Sequence, residues 1–302
     1  MIVNAGNLKA LTISFKASFM GGLGQAGTDH QQIITTVPSS TGSEEYGWLG
    51  QMPNVREWIG DRVVHGIMQH GYTVKNKHFE LTIAVPRTAI DDDQYGVYSP
   101  LFTEMGRSIA AHPGQLVYGL LKDGRNALCY DKQPFFSASH PVLDAKGKLT
   151  TQSNIDDGSG GGGTWYVLDT SRAIKPLLYQ DRQAPNFVAK DAPTDDNAFD
   201  RAEFKYGADI RGNVGFGFWQ MAQSSTKALT ADNVWAAINA LETRTGDHGR
   251  PLGLKATTLV VPATLQRTAG RLLKADLVSE GGAAVDNDLK GRMELLSTPW
   301  LL

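Results

Sequence analysis

The residues suited to chemistry in this chain are few and scattered. Gly22-x-Gly24-x-x-Gly27 has the spelling of a dinucleotide-binding fingerprint. That chemistry needs a strand before the glycines and, after them, a helix whose N-terminus receives the pyrophosphate. The run that follows, Thr28 to Thr36, has poor helix propensity and no apolar stripe, and no βαβ unit surrounds it. A flexible glycine-rich arm is the expectation, with a nucleotide-binding enzyme as the alternative. Gly147-Lys148 lacks the earlier glycine and the following Ser or Thr of a phosphate loop, and reads as a turn between short strands.

Clustered carboxylates suit hard divalent cations. Asp91-Asp92-Asp93 and Asp156-Asp157 are candidates for this. Consecutive side chains point in different directions, however. Acids just ahead of a helix also stabilise its positive end, by about 0.3–1 kcal/mol each. The seven histidines show no metal-ligand spacing. Ser139 and His140 are adjacent, and adjacent side chains rarely aim at each other; no Gly-x-Ser-x-Gly elbow exposes a nucleophile. His140 reads as a loop histidine satisfied by local hydrogen bonds. Cys129 has Tyr130, Asp131 and Lys132 beside it and reads as a small buried hydrophobe rather than a reactive thiol. No catalytic residue, cofactor site or metal site is expected.

The composition agrees. The chain has 302 residues, 41% hydrophobic and 20% charged, with a net charge of −2. That is globular composition, long enough for two lobes and without the basic excess of a protein that grips nucleic acid tightly. With one cysteine, no internal disulfide forms, and folding in a reducing cytosol is expected. Met1 to Phe19 does not read as a signal peptide, and no run approaches the ~20 apolar residues of a membrane span. A soluble protein made in the cytoplasm is the expectation. Arg56, Trp58 and Arg62 could stack single-stranded bases, but without a basic excess an interface role is expected for them.

The elements that would position these residues are legible in outline. Residues 1–45 read as an arm with little core of its own, in which Leu11 to Met20 could be a short helix or strand. Residues 56–87 read as β. Phe79, Leu81, Ile83 and Val85 alternate with Glu80, Thr82, Ala84 and Pro86, the period of a strand with one covered face. Arg62 to Ile67 and Tyr72 to Val74 precede it, with candidate turns at His70-Gly71 and Lys75-Asn76-Lys77, so a long hairpin is predicted.

Residues 98–122 read as a helix capped by Ser99 and broken or kinked at Pro113. Residues 125–165 read as loops ending in a flexible glycine run, Gly160 to Gly163. Helix signals resume from Asp169 through Leu178, and 203–222 read as extended. Thr230 caps a helix bearing Val234, Ala237, Ile238 and Leu241. Thr257 to Val261 is a buried strand, Pro262 opens a helix, and Met293 to Leu296 is a last strand.

Three stretches share one likeness. The first is Arg56-x-Trp58-x-Gly60-x-Arg62-Val63-Val64, running through Tyr72-Thr73-Val74-Lys75-Asn76-Lys77-x-Phe79 to Ile90-Asp91-Asp92-Asp93-x-Tyr95-Gly96. The second is Asp131-x-x-Pro134-Phe135-Phe136 with His140-Pro141. The third is Arg211-x-Asn213-x-Gly215-x-Gly217-x-Trp219-Gln220. With Leu259-Val260-Val261-Pro262, their order and spacing resemble the major head subunit of Mu-like phages and prophages over about residues 45–300.

The resemblance implies an α+β chain with the Hong-Kong-97-like phage capsid fold. It implies an N-terminal arm at 1–45 and an extended β-hairpin loop at 46–90. A peripheral domain with a spine helix would take 91–130 and 195–228, and an axial domain 131–194 and 229–302. It implies a structural protein, not an enzyme, assembling with itself as hexamers and pentamers of an icosahedral shell around double-stranded DNA. Scaffold or protease, portal and decoration proteins would be further partners. The place would be the virion, after assembly in the host cytoplasm. Inter-subunit contact is expected at Arg56, Trp58, Arg62, Tyr72, Lys75, Lys77 and Phe79. Related capsids carry lysine–asparagine links. Lys75, Asn76 and Lys77 supply the residue types, but such a bond also needs a positioned acid and a matched partner.

Overall fold

The computed structural model describes residues 4–47, 49, 71–92, 94–158, 160–280 and 283–302. Arg56, Trp58, Arg62, the first part of the expected hairpin and Asp93 lie outside the described residues. In chain order, α1 (Ala5–Leu23) precedes β1 (Ile34–Pro38), β2 (Ser43–Glu45), β3 (Thr73–Lys75) and β4 (Lys77–Pro86). Next come α2 (Arg87–Asp91) and α3 (Ser99–Lys122). The short strands β5 (His140–Leu143), β6 (Leu149–Gln152) and β7 (Ile155–Asp156) lead to β8 (Gly160–Leu168) and β9 (Leu177–Lys190). α4 (Asp196–Arg201) joins β9 to β10 (Glu203–Phe216), followed by β11 (Ala222–Lys227). α5 (Ala231–Glu242), β12 (Thr258–Pro262), α6 (Gln266–Lys274), β13 (Leu277–Glu280), β14 (Ala283–Asp286) and β15 (Glu294–Thr298) complete the α+β chain.

Two sheets organise it. One has the order β1-β9-β10-β4, the other β15-β12-β8-β11-β7. β4 lies antiparallel to β10 from Lys77↔Gly212 to Pro86↔Glu203. Its predicted alternation holds: the side from Phe79 to Val85 packs into a core with Phe204, Tyr206 and Ile210, while Glu80, Thr82 and Ala84 are exposed. β12 is buried along its whole length, as a strand covered on both faces must be. Thr230 caps α5 by accepting from the Asn233 N–H.

Several expectations give way. Residues 5–23 are not a bare arm: α1 buries Leu8, Leu11, Phe15 and Phe19 against α3. Full burial stabilises by about 1.5–3 kcal/mol for each large apolar side chain. Gly22 is a packing residue, not part of a phosphate cradle. A Cβ there would lie 2.0 Å from the Thr103 carbonyl oxygen, and one at Gly106 would lie 2.0 Å from that of Phe19. The two glycines let the helix backbones touch. A helix, not a strand, precedes Gly24, so the fingerprint lacks its framework.

α3 runs unbroken through Pro113. Proline removes one backbone bond, but buried residues on both sides, from Phe102 to Ile109 and from Val117 to Leu121, hold the helix together. Ser99 lies inside α3 rather than capping it. Asp91 ends α2, so it sits a whole element away from the positive end of α3. Asn76 makes no turn, because β3 and β4 pair with different partners. Asp169 starts no helix: its carboxylate accepts from the Ser171 and Lys255 N–H groups, and Leu177-Leu178 open β9. Gly160 to Gly163 lie within β8 instead of a free loop. Pro262 closes β12, and a 3₁₀ turn separates it from α6. Among the described residues, no helix is long and apolar enough to cross a membrane.

Candidate functional site

Two places concentrate the residues singled out by sequence. The first is the base of the segment that β3 and β4 complete. Tyr72 is half-buried, and its hydroxyl accepts from the Phe216 N–H at 2.8 Å. The Asn213 amide donates to the Lys75 carbonyl at 2.7 Å. Asn76 donates to Ser39 Oγ and the Thr41 carbonyl, both at 2.8 Å, and accepts from Gln180 at 2.7 Å. Glu44, opposite Val74, accepts from Ser39 Oγ and from the Ser40 and Thr41 N–H groups. These donors hold its carboxyl down to about 2. Lys75 and Lys77 are exposed, and the Phe79 ring meets His112 at 4.2 Å. The base is therefore fixed by polar bonds to the β1–β2 connection, β9 and β10, and two lysines project from it.

The second place joins the other two stretches of the resemblance in one buried knot. Leu128 bridges Pro134, and Lys132 takes a left-handed conformation (φ 66°) in the tight turn between them. That turn brings Cys129 and Asp131 to one side. Cys129 Sγ donates to Asp131 Oδ1 at 3.0 Å, while His140 Nδ1 lies 2.7 Å from Asp131 Oδ2. His140 Nε2 faces Asn154 Oδ1 at 3.2 Å. Asn154 is oriented by donating to the Phe135 and Trp219 carbonyls and accepting from the Ser137 N–H. The His140 ring stacks on Trp219 with centroids 3.9 Å apart and planes 5° apart. Beyond Trp219, the buried Arg244 donates to the carbonyls of Gln220 and Ala222 and to Gln223 Oε1. Phe135 stacks on Phe216 at 4.3 Å.

The electrostatics suit a lock better than a reaction centre. Burial works to raise the Asp131 carboxyl, but hydrogen bonds from His140 and Cys129 and the charge of His140 outweigh it, and the carboxyl is lowered. Burial pushes the Cys129 thiol well up, reinforced by the Asp131 charge, so it is a donor rather than a nucleophilic thiolate. Burial pulls Arg244 down to about 9. Cys129, Asp131 and His140 offer three ligand atoms within 4.8 Å of one another, yet these atoms are hydrogen-bonded through Asp131. No Ser139–His140 dyad forms; the Ser139 hydroxyl faces that of Ser137. Asp156 and Asp157 are taken by Lys227 at 2.7 Å and Arg125 at 2.6 Å. The single residues of this knot were in view in the sequence, but Asn154 and Arg244 were not. A lone asparagine and a lone arginine carry no spacing signal.

The knot couples distant stretches that the resemblance grouped, and the comparisons agree with that grouping. The family model for the Mu-like prophage major head subunit gpT matches residues 8–301. The chain belongs to this family. It is 42% identical to the major capsid protein of Escherichia phage Mu over all of both chains. It is also 42% identical to the Mu-like prophage FluMu major head subunit of Haemophilus influenzae, over 95% of each. Among solved structures, it superposes on a chain of the procapsid of bacteriophage JBD30 with a TM-score of 0.86 and 42% identity, covering 99% of this chain and 100% of that one. The fold is thus the Hong-Kong-97-like capsid fold, and the chain is a major subunit of a phage head shell and a structural part of the virion rather than an enzyme. Nothing supports the nucleotide-binding alternative.

Proposed function

We propose that this chain assembles as hexamers and pentamers into a closed icosahedral shell around phage double-stranded DNA. Assembly takes place in the host cytoplasm. A scaffold or protease, a portal and decoration proteins act with it, and its contact with DNA is non-specific. The reading rests on the full-length 42% identity to the Mu major capsid protein. The net charge of −2 fits loose packing against DNA, since tight phosphate contacts would hinder release.

Within this reading, residues 1–45 form the arm, whose first helix is anchored on α3. Residues 46–90 form the extended loop that reaches a neighbouring subunit. Tyr72 and Phe79 stand at its fixed base, Lys75 and Lys77 project from it, and Arg56, Trp58 and Arg62 complete the contact. The peripheral domain takes 91–130 and 195–228, the axial domain 131–194 and 229–302.

Trp58→Ala and Arg62→Glu test the loop. Both chains should keep a native circular dichroism spectrum, while light scattering shows the megadalton species of the wild type gone. Normal particles from both variants would remove the loop from assembly.

A further inference from the structure

The inference that follows rests on the reading that copies of this chain build a shell. The sheet region β9-β10-β4 covers α1 and α3 with one face only; Phe204, Tyr206, Ala208 and Ile210 point into that core. The alternate residues of β10 stand half-exposed on the opposite face. They read Glu203, Lys205, Gly207, Asp209, Arg211: negative, positive, none, negative, positive. The order of charge is antisymmetric about Gly207. A two-fold axis lying above the sheet and crossing β10 at Gly207 reverses the strand direction. It places Glu203 over the Arg211 of a second copy, Lys205 over its Asp209, and Gly207 over its Gly207.

The surroundings fit a close approach of two sheets. Gly207 is the third and central position of this row, and a glycine inside a strand weakens it unless another backbone comes near. The subunit's own packing is tight there but yields at one exposed side chain, Thr82. An added Cβ would meet the Thr82 hydroxyl at 3.2 Å and the Leu81 carbonyl oxygen at 3.9 Å. Beside it across β9 stands Val188, 53% exposed. Among the described residues, the side chains of Glu203, Lys205 and Arg211 make no ion pair. Asp209 lies 2.9 Å from His78 and accepts from the Gln183 amide at 2.9 Å and the Asn186 amide at 3.4 Å, and its side chain remains 25% exposed.

We infer that the outer face of β10 is an isologous, two-fold contact between two copies of this chain, centred on Gly207. A two-fold contact is self-complementary by necessity, and an antisymmetric charge row is the simplest surface with that property.

The test uses the full chain, with wild-type particle yield as control. Glu203→Arg and Arg211→Glu each set like charges together twice per contact, and each should lower particle yield roughly tenfold with an unchanged fold. The double variant restores every pairing and should return to about the wild-type yield. In a separate variant, Gly207→Cys, the thiol should face its own copy across about 10 Å, the spacing of two stacked sheets. Particles treated with a short bismaleimide crosslinker should then run as dimers on denaturing gels, since Cys129 is buried. Wild-type yield from both single variants overturns the inference. So does a double variant that fails like the singles while Gly207→Cys gives only monomer. If either single variant misfolds, the Gly207→Cys band decides alone. Failure of the wild type to form particles counts against the shell reading itself, and with it against this contact.

Discussion

The chain holds two apolar cores built on different principles. The smaller joins α1, the first half of α3, β4 and the first half of β10. It is made of rings and bare backbone. Phe15 stacks on Phe102 at 4.1 Å, Tyr206 meets both rings edge-on, and Gly22 and Gly106 let the helices touch. The larger core spans the five-stranded sheet, α5, α6 and the second half of α3. It contains the polar knot of Asp131, His140, Asn154 and Arg244 around Trp219. An apolar core fails when its shape is spoiled, whereas a core with a buried polar network fails when one partner is removed. The comparison can be broken at either place.

The largest effect is expected in the smaller core. Gly106→Val places a side chain where the Phe19 carbonyl oxygen already lies, so α1 must leave α3. A loss of about 3 kcal/mol or more is expected in urea unfolding, with early proteolysis near α1. A small loss would mean that the helices do not touch as described. In the larger core, Asp131→Ala strips partners from Cys129 and His140, both buried. It should cost about 2–4 kcal/mol, and should disturb Trp219 fluorescence because the stacked ring loses its anchor. Gly106→Val should leave that fluorescence largely unchanged.

The fold was readable wherever a local pattern and the packing agreed. Phe79 to Val85, Thr230 with its helix and Thr257 to Val261 all follow their own periodicity. It was not readable where distant chain decides. α1 looks like an arm because Ser, Gly and Lys dilute its stripe, and the partner that justifies Gly22 is Gly106 and its neighbours, some 80 residues away. Pro113 signals a break, yet packing on both sides overrides it. Leu177-Leu178 suit a helix or a strand equally, and pairing with β1 and β10 decides. The knot was half visible: Asp131, His140 and Trp219 were all in the motifs, but nothing in their spacing says that they meet.

Acid should separate the cores further. The Asp131 carboxyl is lowered on folding, so its contribution is present above the unfolded value near 3.9 and is lost as pH falls through the folded one. The stability gap between wild type and Asp131→Ala should therefore shrink between about pH 5 and pH 2, while the gap for Gly106→Val stays flat. A constant Asp131 gap would deny the carboxylate its role. The smallest effects belong to the helix caps. Asn4→Ala at α1 and Thr230→Ala at α5 each remove one side-chain acceptor, and each should cost about 0.5–1 kcal/mol in thermal melts. Equal costs would show that the cores differ in packing and not in helix ends.

The most direct test is electron microscopy of particles purified from cells expressing the full chain with its assembly partners. Closed shells are predicted, with this subunit forming the five-fold and six-fold capsomers and its β1-β9-β10-β4 sheet recognisable in the map. A chain that stays monomeric under those conditions, or particles built from another subunit, would contradict the account.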